Sequence, residues 1–187
     1  MTPIDHIREI LHLIAGLLIW PVMLGLIALS AATLFVIGAY LREVWERSRG
    51  RRAALAAARA RLEAVAAEGG PDPIDLRLEK ALQTEERALW GALSRLRLAV
   101  RVGPALGLMG TLIPMAYALK GLSEGNLPAL ASNMVTAFAA TVIGLAISVI
   151  AYLIAASREA WVRSDTRELT FRAEELLRAS GAPASGE

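Results

Sequence analysis

The chain has no cysteine and only two histidines in 187 residues. Disulfides and thiolate metal sites are therefore excluded, and cysteine usage leaves the redox compartment open. His6 and His12 stand six residues apart, on different faces of a helix, and read as solvated polar positions rather than metal ligands. Aromatic residues make up 5% of the chain, and no base-stacking pattern of aromatics accompanies the arginines. The arginines alternate instead with Glu and Ala at helical spacing, the pattern of solvated helix faces, so no nucleic-acid partner is expected. No nucleophile with a base and an orienting group, no metal-ligand spacing and no phosphate loop is visible. The sequence points away from an enzyme and implies neither cofactor nor metal.

The most informative absence is that of charge. Residues 10–41, 102–119 and 125–157, stretches of 32, 18 and 33 residues, contain no Asp, Glu, Lys or Arg. About 20 residues cross the roughly 30 Å hydrocarbon layer at 1.5 Å per residue, so each stretch spans once. A hydrophobic content of 55% and a mean hydropathy of +0.46 agree, since soluble domains hold about 45–50% apolar residues. The expected class is an all-α membrane protein with three transmembrane helices. Ala28-Leu29-Ser30-Ala31 resembles a leader-peptide cleavage site. The apolar run continues past it to Leu41, however, and no basic cluster precedes it, so it reads as a retained anchor.

Of the 20 Lys and Arg, 13 lie in residues 42–101 and five from Arg158 onward, with Arg8 and Lys120 elsewhere. The positive-inside rule then puts the N-terminus outside, residues 42–101 in the cytoplasm, the 121–130 loop outside and the tail in the cytoplasm. The expected organisation is an interfacial amphipathic helix over 1–14 and transmembrane helices over 15–41, 102–120 and 131–157. Between the first two lies a cytoplasmic helical hairpin over 42–101, and 158–187 form a C-terminal helix with a disordered end. Tyr40 beside Arg42 reads as an interfacial anchor. Ala, Arg, Leu and Glu dominate 42–68 and extend the first helix as one limb. Gly69-Gly70-Pro71-Asp72-Pro73 breaks it, and a second limb resumes near Ile74. With few large apolar residues, the limbs are expected to pack on one another or on neighbouring subunits. Trp161, Val162, Leu169, Leu176 and Leu177 on the C-terminal helix are available for a partner.

Within the second span, Gly103, Gly107, Gly110, Thr111 and Pro114 recur at three- and four-residue spacing, next to Pro104, and make one helix face nearly bare. Asn133, Thr136, Ala137, Ala140, Thr141, Gly144, Ser148 and Tyr152 form a stripe of small and weakly polar groups in the third. Such stripes serve helix packing, and a polar pathway is a second reading. A pore lined by associated helices needs both. Gly103, Pro104, Gly107, Gly110, Pro114, Ala140 and Gly144 are assigned to packing, and a homo-oligomer is expected to assemble through these faces. On the polar-pathway reading, Thr111, Thr141, Thr136, Ser148 and Asn133 are the candidate pore-lining residues. The alternative is a non-conducting membrane scaffold assembled through the same small-residue faces.

Gly103-Pro104-Ala105-Leu106-Gly107-Leu108-Met109-Gly110-Thr111 resembles the Pro-x-Leu-Gly-Leu-x-Gly-Thr signature of the second span in the MotA/TolQ/ExbB proton-channel family. Ala139-Ala140-Thr141-Val142-Ile143-Gly144-Leu145 resembles the Ala-Thr-x-x-Gly-Leu signature of the third. The resemblance implies a homopentamer around a dimer of a single-span ExbD/TolR-like partner, whose membrane aspartate carries the coupling proton. It also implies that Thr111 and Thr141 face the pore near that aspartate. Three positions depart from the family pattern: Thr136 replaces a glutamate, Ile150 a proline and Pro114 a glycine. Three spans rather than four are similar to the ExbB/TolQ branch and unlike a flagellar stator. Thr111 lies about 14 Å from the cytoplasmic end of its span and Thr141 about 24 Å from its own. Similar depth therefore requires the third helix to extend some 10 Å beyond the membrane.

Overall fold

The computed structural model describes residues 3–68 and 73–180, the side chains at 3–5, 7–9, 11, 12 and 92 excepted. Four helices cover nearly all of them: α1 (Pro3–Ser48), α2 (Ala53–Ala67), α3 (Ile74–Ser123) and α4 (Leu127–Ala179). No strand occurs among the described residues. Three of the helices, α1, α3 and α4, are long and apolar enough to cross a membrane. Leu17, Trp20 and Phe35 are each more than 70% exposed on α1, a surface suited to a hydrocarbon solvent and not to water.

The helix stops are written locally. Gly50 has φ +74°, which costs a glycine nothing. Its N–H donates to the Arg47 carbonyl at 2.9 Å, and the Arg51 N–H donates to Glu46 at 3.0 Å. This is a Schellman termination of α1. Gly125, also at φ +74°, ends α3 in the same way, through Gly125 N–H to Leu122 and Asn126 N–H to Gly121. Asn126 then starts α4, its Oδ1 accepting from the Ala129 N–H at 3.1 Å.

These stops correct three expectations. Residues 3–14 are not a separate helix but the first turns of α1. The limb expected over 42–68 is interrupted at the Gly50 turn, because helix-forming arginines on both sides cannot override a left-handed glycine cap. The connection expected over 121–130 narrows to Glu124–Asn126, since a stop and a cap fit within three residues. The second limb does begin at Ile74. The expected break at 69–72 and the disordered end at 181–187 lie outside the described residues.

The chain divides into two compact units. One comprises Met1–Gly38 and Leu96–Leu153, the other Ala39–Arg95 and Ile154–Glu187. In the first, α1 packs on α3 and α4 through Leu26, Ala140 and Ile147, with Leu29 and Leu106 against them. A Cβ at Gly16 would stand 2.9 Å from the Tyr117 hydroxyl, and one at Gly25 3.5 Å from Leu106, so bare backbone admits these side chains.

The second unit has its own core of Leu55, Ala58, Leu62, Leu78 and Leu169, with Leu176 and Leu177 packed on it. The apolar residues of the C-terminal helix that were expected to await a partner are therefore covered by α2 and α3 of their own chain. The rings of Tyr40 and Trp161 stack at 5.5 Å, which gives Trp161 a neighbour in its own chain. Charged groups ring this core. The carboxylate of Asp165, fully buried, accepts from Arg47 at 2.6 Å and lies 3.9 Å from Arg52. Arg47 also covers the Trp161 ring at 4.7 Å. Glu168 accepts from Arg52 at 3.0 Å and from Arg59, and Arg158 pairs with Glu43 at 2.8 Å.

Candidate functional site

The two signature motifs meet in the first unit, where α3 crosses α4. A Cβ on Gly144 would lie 2.6 Å from the Gly103 carbonyl and 2.8 Å from the Gly107 Cα. One on Gly110 would lie 2.6 Å from the Ala140 Cβ, and one on Gly103 2.9 Å from the Gly144 carbonyl. Both backbones thus occupy the space that side chains would need, the close approach that small residues permit between helices in lipid. This corrects the expected mode of assembly. The Gly103/Gly107/Gly110 face and the Ala140/Gly144 face are complementary to each other within one chain and are not free to join subunits.

Proline shapes the same crossing. Pro104 lies inside α3 and has no N–H for the carbonyl four residues earlier, that of Val100. The Ser148 hydroxyl of α4 donates to that carbonyl at 2.9 Å. An orphaned backbone acceptor in an apolar medium is costly, and Ser148 answers it. Pro114, the departure from the family glycine, is fully buried one turn beyond Gly110.

Of the five residues assigned to a pore, the fold brings two together. Thr111 and Thr141 share a hydrogen bond between their hydroxyls. Thr111 Oγ1 also lies 2.8 Å from the Gly107 carbonyl, and Thr141 Oγ1 lies 3.4 Å from the carbonyls of Gly107 and Ala137. The close crossing makes this possible: a Cβ at position 144 would press on the α3 backbone at 2.6–2.8 Å and force the helices apart, and one at position 107 would be tight at 3.3 Å. Both threonines are half-buried, and each oxygen has acceptor capacity beyond these bonds.

The other three do not join the pair. Ser148 is bonded to Val100, Asn133 donates to its own helix at Ala129 (2.9 Å), and the exposed Thr136 donates to Ser132 (3.1 Å). Chemically, the crossing offers a compact group of neutral donors and acceptors. No Asp, Glu, Lys or Arg lies within the uncharged stretches around it.

Sequence reasoning did not find the buried ionic cluster around Asp165. Its signal was the spacing of Asp165 and Glu168 on one face of the C-terminal helix, with the Arg-rich segment 47–52 as the complementary charge.

Comparison with curated proteins and with solved structures gives no match. The family model for the MotA/TolQ/ExbB proton channel family matches residues 49–170, well over half of the chain. The matched region takes in all of α2 and α3 and α4 as far as Thr170, and with them both signature motifs. With both motifs assembled at one crossing, the chain belongs to the MotA/TolQ/ExbB proton channel family.

Proposed function

We propose that this protein is the stator-like, proton-channel subunit of an ExbB/TolQ-type motor in the inner membrane. Five copies form a ring around a single-span ExbD/TolR-like partner. The N-terminus lies outside, and residues 42–101 and the C-terminal helix lie in the cytoplasm. Thr111 and Thr141 face the lumen, and the partner supplies the ionisable carboxyl group. Proton transfer at that carboxyl moves the partner relative to the ring, and each charge crossing makes available about 2.3 kcal/mol per 100 mV.

The observation that carries this reading is the hydroxyl pair of Thr111 and Thr141, held together in a region of the chain without a charge of its own. Neutral hydroxyls can contact a carboxyl or an ordered water without trapping an ion by permanent charge. Ion coupling within a membrane ordinarily requires a titratable group, which here has to come from another chain.

The test is the double variant Thr111→Val, Thr141→Val, reconstituted in vesicles with the protein that copurifies with the chain. Valine keeps the shape and removes the hydroxyl. Loss of one hydrogen bond of about 1.4 kcal/mol from the rate-limiting state slows flux about tenfold. Normal assembly with undiminished proton flux would sink the pore assignment.

A further inference from the structure

The end of α1 carries a feature that proton conduction does not use. Leu34, Leu41 and Trp45 are 70%, 60% and 55% exposed. They recur at seven- and four-residue spacing and so share one helix face, which Arg49 continues four residues later. The Arg49 guanidinium lies over the Trp45 ring, 3.6 Å from its centroid. An exposed stripe thus changes from aliphatic to aromatic to cationic within four turns. This order suits a surface that leaves hydrocarbon, passes the headgroups and enters water.

Charge is concentrated at the same end. Residues 42–52 hold five arginines and two glutamates. Three of the arginines have acidic partners: Arg42 pairs with Glu46, Arg47 with Asp165, and Arg52 with Glu168. Arg49 and Arg51 form no ion pair among the described residues and stand exposed on either side of Gly50. The Gly50 turn, closed by two backbone hydrogen bonds, keeps Arg51 two residues beyond Arg49, whose guanidinium covers Trp45. The 32 uncharged residues that precede Arg42 measure roughly 48 Å as helix. A bilayer with its headgroups measures about 40–45 Å, so the stripe reaches the headgroup layer where the arginines begin.

We infer that Trp45, Arg49 and Arg51 form a binding site for the headgroup of an anionic phospholipid in the adjoining leaflet. Arg49 and Arg51 engage the phosphate, and Trp45 lies along the glycerol and upper acyl region. The inference rests on α1 crossing the membrane and not on the ring or the pore, so it stands or falls separately from the proposed function.

The test uses the full chain in vesicles containing either brominated phosphatidylglycerol or brominated phosphatidylcholine, and reads tryptophan quenching. The difference between the native chain and Trp45→Phe isolates Trp45 from the other three tryptophans. Brominated phosphatidylglycerol is expected to quench Trp45 at a lower lipid fraction than the phosphatidylcholine analogue, with each arginine contributing about a fivefold enrichment. Arg49→Gln with Arg51→Gln should abolish the preference, and Arg49→Lys with Arg51→Lys should retain most of it. Equal quenching by both lipids would overturn the site. So would a preference that survives the glutamine substitutions, or a Trp45 shielded from both lipids by a second copy of the chain.

Discussion

Arg47 and Asp165 stand 118 residues apart in the chain and are joined by a 2.6 Å hydrogen bond, reinforced by a second at 3.4 Å. The aspartate side chain is 1% exposed and the arginine 19%. The pair ties the last turn of α1 to α4, with the aspartate shut off from solvent and the arginine partly exposed.

Breaking such a pair from one side leaves an uncompensated charge, a loss of about 3–5 kcal/mol. Asp165→Asn, which keeps the shape of the side chain, is therefore expected to lower the thermal unfolding temperature of the detergent-solubilised protein markedly. An unchanged melt would mean that Arg52 and Glu168 alone hold this part of the second unit.

Because the glycine faces meet within one chain, their loss should damage the subunit before it damages the ring proposed above. Gly144→Ala places a Cβ 2.6 Å from the Gly103 carbonyl, an overpacking of about 1–3 kcal/mol. Gly144→Leu should prevent the α3–α4 crossing altogether. Native mass spectrometry combined with limited proteolysis distinguishes the cases. Protease-resistant monomers of Gly144→Leu would show that the glycine faces join subunits after all.

Two glycines of the second unit should respond in opposite directions. Gly50 sits at φ +74°, where an alanine costs about 1–2 kcal/mol. Gly91 lies inside α3 with nothing within 4 Å of the position of an added Cβ, where alanine stabilises by roughly 0.4–1 kcal/mol. Chemical denaturation of the two alanine variants checks both signs. A stabilising Gly50→Ala would remove the left-handed cap from this account.

The proposed topology places Ser48 and Glu124 on opposite sides of the membrane, with the α3 span between them. In a chain without cysteine, Ser48→Cys and Glu124→Cys each offer a single exposed thiol to a membrane-impermeant reagent. Ser48→Cys should label only from the cytoplasmic side and Glu124→Cys only from the outside. Labelling of both from one side would overturn the arrangement.

The three membrane-length helices were legible in the sequence because hydrocarbon sets a length and a composition that uncharged runs display directly. The two signature motifs, and through them the family, were legible as ordered residues. The Gly50 stop could also have been read, from a glycine just after a helical turn that carries the basic Arg47. Helix-forming arginines on both sides obscured it.

Pairings between distant segments were not legible. Periodicity within a helix determines which face is bare, apolar or charged, but not which other face will cover it. Pro104 announced an unsatisfied carbonyl at Val100, yet that Ser148 answers it depends on where α4 lies. The bare faces of α3 and α4 were equally compatible with contacts inside a subunit or between subunits. Backbone geometry decided, by bringing Gly103, Gly107 and Gly144 to van der Waals distance within one chain. The same holds for Asp165: its charge was written in the sequence, but its burial beside Arg47 arises only when segments more than a hundred residues apart are folded together.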